Sequence, residues 1–205
     1  RPRRRSQGGA RMSATAWTRR TCAEMAVSGA VGLVASFVLS IEAWQLAMDS
    51  TTRFGCDVSS VLSCSTVAQT WQARILGFPN AFLGILFETA VLAVSVALFA
   101  GVRFPRWYMV CVNIMYTVAL AFAYWLFLQS YFVIHVLCPW CLLITITTTL
   151  VFGGITRINI REGVLGLPQS ARHFVEKGFD WSIWGLLVFI ICAMVAARYG
   201  AGLIG

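Results

Sequence analysis

The sequence predicts an all-α membrane protein with five transmembrane helices, and three observations support this. Hydrophobic residues make up 59% of the 205-residue chain, whereas charged residues make up 12%, compared with roughly 25% in soluble domains. The apolar residues occur in blocks long enough to cross a bilayer, which takes about 20 helical residues. The basic residues are concentrated before and between these blocks. A soluble globular domain is therefore excluded.

Four predicted spans precede a polar connection, and a fifth follows it. The longest block, residues 107–156, contains no Asp, Glu, Lys or Arg. As a helix it would measure about 75 Å, so it must fold back once, and the polar stretch 129–135 is the expected turn. The predicted spans are residues 25–48, 81–101, 107–129, 137–156 and 181–199.

The charge distribution predicts the orientation. With the N-terminus in the cytosol, thirteen Lys and Arg residues fall on the cytosolic side and three on the other, as the positive-inside rule requires. We therefore expect a cytosolic basic tail (1–24), a four-span region (25–156) with an extracytoplasmic loop (49–80), and a cytosolic connection with the fifth helix (157–205), N-in and C-out. The tail adjoins a span and has little aromatic interleaving, which favours a topology signal over nucleic-acid binding. No soluble domain is expected after the fifth helix.

Cys138 and Cys141 are separated by two residues, the spacing of a redox-active cysteine pair. Pro139 suits the first position of a helix, so both sulfurs are expected at the first turn, where the helix dipole favours thiolate. Two other interpretations of this CxxC motif are half of a zinc site and an inert structural disulfide. The spacing of Cys56 and Cys64 is wide for a zinc knuckle, which makes the zinc interpretation the weaker one.

Cys56 and Cys64 lie in the 49–80 loop, on the same predicted side as the CxxC motif. They can pair with each other, either as a staple of the loop or as a second redox pair connected to the first by thiol–disulfide exchange. All four cysteines are predicted to face an oxidising compartment.

Several polar residues near the spans have two possible roles. Asn80, directly before the second span, is either an N-cap or a hydrogen-bond donor to a ligand carbonyl. Glu88 and Glu42 are ionisable groups inside or near the bilayer, where charge is costly; Glu88 is either a neutral bundle residue or part of a proton path. His135, three residues before Cys138, is an interfacial aromatic or a proton acceptor for the thiols.

An extracytoplasmic dithiol at a membrane surface must pass its electrons to an acceptor. The sequence contains no haem, flavin or nicotinamide motif, and lipid surrounds the spans. A membrane quinone is therefore the expected acceptor.

The chain also resembles the vitamin K epoxide reductase family over residues 25–156. The resemblance rests on the order and spacing of four motifs: CDVS at 56–59, LSCS at 62–65, GFPNAFLG at 77–84 and CPWC at 138–141. It implies a four-helix bundle around a quinone of the menaquinone, ubiquinone or vitamin K type, with an extra fifth helix as in bacterial homologues.

The resemblance also implies a role for each site residue. Cys138 and Cys141 would be the catalytic pair, with Cys141 next to the quinone, and Cys56 and Cys64 would be the loop shuttle that exchanges with Cys138 through Cys64. The implied quinone contacts are a hydrogen bond from Asn80, packing by Leu83 and Phe87, and a weaker contribution from the Thr70 hydroxyl.

Two departures from the family pattern shape the expected function. Thr145 stands where the animal enzymes have a tyrosine, which argues against epoxide reduction. Several bacterial members carry a thioredoxin-like domain after the fifth helix; none is expected here, which predicts a separate DsbA-like thioredoxin-fold partner. The expected function is disulfide generation at the cytoplasmic (inner) membrane. The alternatives are a vitamin K epoxide reductase of the endoplasmic reticulum and a non-enzymatic scaffold stapled by disulfides.

Overall fold

The computed structural model describes residues 3–199, with side chains from residue 16 onwards. This part of the chain is mostly helical and contains no β-strand. Short helical turns lie at residues 71–74 (3₁₀) and 130–134 (π). The α-helices are α1 (Arg3–Met48), α2 (Cys64–Ala68), α3 (Ala81–Phe99), α4 (Arg106–Gln129), α5 (Pro139–Arg161), α6 (Gln169–Glu176) and α7 (Phe179–Tyr199).

Five of these helices are long and apolar enough to cross a membrane, which confirms the predicted number of spans. Their bounds lie close to the predicted ones except at the start of the first span and at the ends of the third and fourth spans. The candidate spans are Ala16–Met48, Ala81–Phe99, Arg106–Ile134, Pro139–Arg161 and Phe179–Tyr199.

Helix α1 begins well before Met25, where the sequence analysis placed the start of the first span. Met25 is buried against Gly154 of α5. Further toward the N-terminus, the Trp17 ring lies 4.9 Å from the Arg157 guanidinium and 4.2 Å from that of Arg161. The early turns of α1 thus pack against the same partner helix as the apolar turns, a contact that a count of apolar residues does not detect.

Helices α1, α3, α4 and α5 form the core of the bundle. Helix α1 packs against α3 and α5, and α4 packs against α5. Small residues allow close approach of α1 and α3: a Cβ at Gly32 would lie 2.7 Å from the carboxyl group of Glu88. Apolar side chains from all four helices fill the interior, including Met25, Val91, Val94, Met109, Tyr116, Val151 and Ile155.

Helix α7 lies beside this core, against α5 and α6. A buried ion pair between Asp180 and Arg157 of α5, 2.8 Å apart, attaches its first turn. At its other end, the Arg198 guanidinium donates to Nδ1 of His135, 2.8 Å away, in the turn before α5. The fifth helix therefore contacts α5 near its last turn and the turn that precedes α5.

The chain reverses between α4 and α5 within the stretch that the sequence analysis named. His135 adopts a left-handed conformation with φ of 62° after the π-turn. Leu137 then pairs with the 49–80 loop: its N–H donates to the Val61 carbonyl (2.9 Å), and its carbonyl accepts from the Ser63 N–H (3.0 Å). This pairing holds the loop and the start of α5 at one end of the bundle, as expected. That this end faces the extracytoplasmic side stays a prediction from the charges.

Candidate active site

The two cysteine pairs meet at this end of the bundle. Cys56 and Cys64 form a disulfide with a Cα–Cα distance of 5.8 Å, whereas Cys138 and Cys141 are free thiols. The Cys138 sulfur lies 3.3 Å from the Cys64 sulfur, and both residues are 1% exposed. A four-cysteine zinc site would need four thiolates, so the disulfide does not fit that interpretation.

The CxxC motif opens helix α5 as the sequence analysis expected. Cys138 is the N-cap residue, Pro139 is the first helical residue, and the backbone N–H of Cys141 donates to the Cys138 sulfur at 3.3 Å. The pKa of Cys138 is nevertheless raised well above its usual value, by its hydrogen bond to the Cys141 side chain and by burial, which outweigh the backbone N–H. Cys138 therefore remains a thiol in this state, contrary to the thiolate that the helix dipole alone would favour.

Asp57 organises the loop that carries the outer pair. Its carboxylate accepts hydrogen bonds from the N–H of Phe54 (2.8 Å), the N–H of Ser65 (3.0 Å) and the hydroxyl of Ser63 (2.7 Å). Burial alone would raise the pKa of Asp57, but these hydrogen bonds lower it to about 2. Asp57 is therefore ionised at neutral pH, and it holds Ser63 and Ser65, the residues on either side of Cys64, in place.

An apolar cavity of about 160 Å³ lies directly beneath the cysteines. Three of the four cysteines reach it, and Cys56 does not. The four residues expected to contact a quinone also lie on its wall, so one cavity joins the redox sulfurs and the expected binding residues. The predicted site residues in its lining are Cys64, Thr70, Asn80, Leu83, Phe87, Cys138 and Cys141.

Asn80 lies at the N-cap position of α3 but does not make the capping hydrogen bond with its side chain. Its Nδ2 instead donates to the backbone carbonyl of Gln72 at 2.7 Å. Its Oδ1 is buried and has no hydrogen-bond partner within the described residues. An amide has two N–H donors and a carbonyl acceptor, so one N–H and Oδ1 remain available to a ligand in the cavity.

The two threonines that the sequence analysis discussed use their hydroxyls locally. The Thr70 hydroxyl donates to the Val67 carbonyl at 2.7 Å. The buried Thr145 hydroxyl donates to the carbonyl of Cys141 at 2.9 Å. Both side chains line the cavity, where each can still accept a hydrogen bond but no longer has a free hydrogen.

Sequence reasoning named Glu88 but missed Tyr116, which forms a polar wall of the cavity with it. Tyr116 is fully buried in α4, and its hydroxyl lies 3.0 Å from the Phe87 carbonyl and 3.4 Å from Oε2 of Glu88. Tyr116 and Glu88 both line the cavity, and Glu88 is 2% exposed. The sequence feature that could have indicated this role is a tyrosine in the middle of an uncharged span.

The fold and the site define a class of protein: a multi-pass helical membrane protein that joins two cysteine pairs beside an apolar cavity. Residues 23–155 match the sequence profile of the vitamin K epoxide reductase family. Because this match spans more than half of the chain, the chain belongs to that family, and it is an integral membrane oxidoreductase. A search of curated proteins finds no significant match.

Proposed function

We propose that the protein generates disulfides by passing electrons from a thioredoxin-fold partner through two cysteine pairs to a membrane quinone. In the balanced reaction, a partner dithiol becomes a disulfide while the quinone becomes a quinol. Cys56 and Cys64 are the outer pair, and Cys138 and Cys141 are the inner pair.

The observation that carries this proposal is the 3.3 Å contact between the sulfurs of Cys64 and Cys138. Thiol–disulfide exchange needs direct attack of one sulfur on another, and this contact places the two pairs within reach of each other. Since the outer pair is oxidised and the inner pair reduced, the arrangement matches the state in which the electrons have reached the inner pair.

The exposure of the outer pair supports the order of transfer. Cys56 is only half-buried in the loop, whereas Cys64 is buried behind it. A partner thiolate attacks Cys56 and releases Cys64. Cys64 then attacks Cys138 in the oxidised inner pair, which forms a mixed disulfide and releases Cys141 as the thiolate. When Cys56, freed from the partner, re-forms its disulfide with Cys64, Cys138 is released in turn.

The cavity fits a quinone headgroup. Leu83 and Phe87 supply apolar walls, and the free N–H and unpartnered Oδ1 of Asn80 supply a donor and an acceptor at the edge. Cys141 borders the same space. A bound quinone would supply an acceptor for two electrons and two protons; the chain's own residues hold the headgroup and keep water out.

The proposed location is the cytoplasmic (inner) membrane, with the active site on the extracytoplasmic side. The excess of Lys and Arg at the opposite end supports this orientation, and a disulfide-generating enzyme needs an oxidising compartment. The DsbA-like partner is proposed because electrons must enter the half-buried Cys56 from outside the membrane.

The test uses purified protein in detergent with dithiothreitol as donor and a soluble quinone as acceptor, followed by thiol trapping. Cys141→Ala should abolish quinone reduction with any donor. Cys56→Ala should keep the reaction with dithiothreitol, which reduces the inner pair directly, and lose it with reduced thioredoxin.

Two results would contradict the proposal. Loss of dithiothreitol activity in Cys56→Ala would show that the loop cysteines are not a shuttle. If all four cysteines stay unchanged under mild reductant and with quinone, they are structural staples. Parallel assay with vitamin K epoxide separates the epoxide reductase alternative, and we expect no turnover of the epoxide.

A further inference from the structure

Glu42 is a buried carboxylic acid beside the relay sulfurs, and the proposed electron path gives it no role. It lies near the end of α1 and is 8% exposed. Its Oε1 is 3.4 Å from the Cys56 sulfur. A carboxyl oxygen of Glu42 and the sulfurs of Cys56 and Cys64 all lie within 4.8 Å of one another. The side chain therefore contacts the outer pair directly.

Glu42 does not form a salt bridge within the described residues, and its second carboxyl oxygen has no partner there. Oε2 is buried and has no hydrogen-bond partner within the described residues. The two salt bridges found in that part of the chain involve other residues and lie elsewhere. A buried carboxyl group without a cation is costly as a permanent anion, so this position favours a group that gains and loses a proton.

We propose that Glu42 is the proton donor and acceptor of the outer cysteine pair. This inference rests on the proposed function. When the partner leaves as a disulfide, the Glu42 carboxyl group donates its proton to the departing Cys56 thiolate. The carboxylate takes that proton back as the Cys56 sulfur attacks Cys64 in the Cys64–Cys138 mixed disulfide. The Cys56–Cys64 bond forms, the Cys64–Cys138 bond breaks, and Cys138 leaves with the electron pair and acquires a proton from water.

The other titratable groups around Glu42 do not provide this function. Asp57 faces it from the loop, but the hydrogen bonds that lower the pKa of Asp57 to about 2 keep it ionised at neutral pH. Cys138 and Cys64 are themselves reacting sulfurs. Among the described residues, Glu42 is therefore the carboxylic acid placed to exchange a proton with Cys56.

The test follows single-turnover electron transfer from reduced thioredoxin into the fully oxidised protein. Acid quenching and alkylation at successive times measure the Cys64–Cys138 mixed disulfide and the free thiols of Cys138. Glu42→Gln keeps the shape of the side chain and removes its acid–base function. Since a positioned base typically contributes about 10²–10⁴-fold, we expect resolution of the mixed disulfide to slow at least about tenfold, so that this species accumulates.

The pH dependence gives a second readout that a packing defect would not produce. Without an internal base, resolution depends on hydroxide, so the Glu42→Gln rate should rise about tenfold per pH unit between pH 6 and 8. The wild-type rate should rise less steeply. Glu24→Gln is the matched control, because Glu24 lies on the same helix about 27 Å away (18 residues); it should behave as wild type.

The outcomes distinguish a failure of this inference from a failure of the proposed function. If the wild-type inner pair never receives electrons from thioredoxin, the proposed function fails. If the wild type transfers electrons and Glu42→Gln matches it in rate and pH profile, the role of Glu42 is refuted. Loss of direct dithiothreitol reduction of the inner pair in Glu42→Gln would show a structural role instead, and would also refute the inference.

Discussion

Replacing Asn80 with alanine tests whether the cavity beneath the cysteines holds a ligand with a polar edge. The Asn80 side chain makes one internal hydrogen bond, to the Gln72 carbonyl at 2.7 Å, and leaves one N–H and its buried Oδ1 without a partner among the described residues. A ligand hydrogen bond at this position should contribute about 1 to 1.4 kcal/mol. Asn80→Ala should therefore raise the KM for quinone about five- to tenfold.

The assay is dithiothreitol oxidation by a soluble quinone at varied quinone concentration. Gln69→Ala is the matched control, because the Gln69 side chain also donates to a loop carbonyl, that of Ser50 at 3.2 Å, but does not line the cavity. It should leave the KM unchanged. An unchanged KM in Asn80→Ala, or an equal rise in Gln69→Ala, would refute the assignment of Asn80 to the ligand.

Three further predictions concern the framework around the site. Asp180→Asn leaves the buried guanidinium of Arg157 without its carboxylate; we expect a loss of about 3 kcal/mol and a lower midpoint of thermal unfolding in detergent, and an unchanged midpoint would contradict this. The pKa of Asp57 is depressed by hydrogen bonds, to about 2, so its stabilisation of the loop is present above about pH 4 and is lost as the pH falls toward 2. Hydrogen exchange of the loop should show this loss in the wild type and not in Asp57→Asn. Arg198→Ala removes the hydrogen bond to His135 and should accelerate hydrogen exchange in the turn before the CxxC motif; equal exchange would show that the fifth helix does not hold this turn.

The helical architecture could be predicted because membrane spans are defined by local composition. The uncharged block 107–156 could fold back only where it becomes polar, and the structure reverses there, after the π-turn. Helix α1 extends before the predicted start of the first span at residue 25, and its early turns contact α5, as in the contact of Trp17 with Arg157. These contacts join residues far apart in the sequence and leave no local pattern.

The site was predictable to the extent that its residues lie in motifs. The four cysteines and Asn80 were named from spacing and family resemblance, and the structure brings them to one end of the bundle. The direction of the Asn80 side chain was not predictable, since an N-cap residue ordinarily bonds its own helix and this one bonds Gln72. Tyr116 and Glu42 were not placed in the site, because their contacts join different segments of the chain. Tyr116 and Glu88 are 28 residues apart in the sequence, and Glu42 and Cys56 are 14 residues apart.

The most direct test of the central claim is whether Cys64 and Cys138 form a disulfide with each other. In a Cys56→Ser/Cys141→Ser double variant, each remaining sulfur has lost its own partner, and the two lie 3.3 Å apart in the wild-type structure. Mild oxidation of the full-length protein followed by peptide mapping should find the Cys64–Cys138 disulfide in nearly all molecules. If both cysteines instead remain free or form disulfides between molecules, the two pairs are not connected and the proposed electron path is wrong.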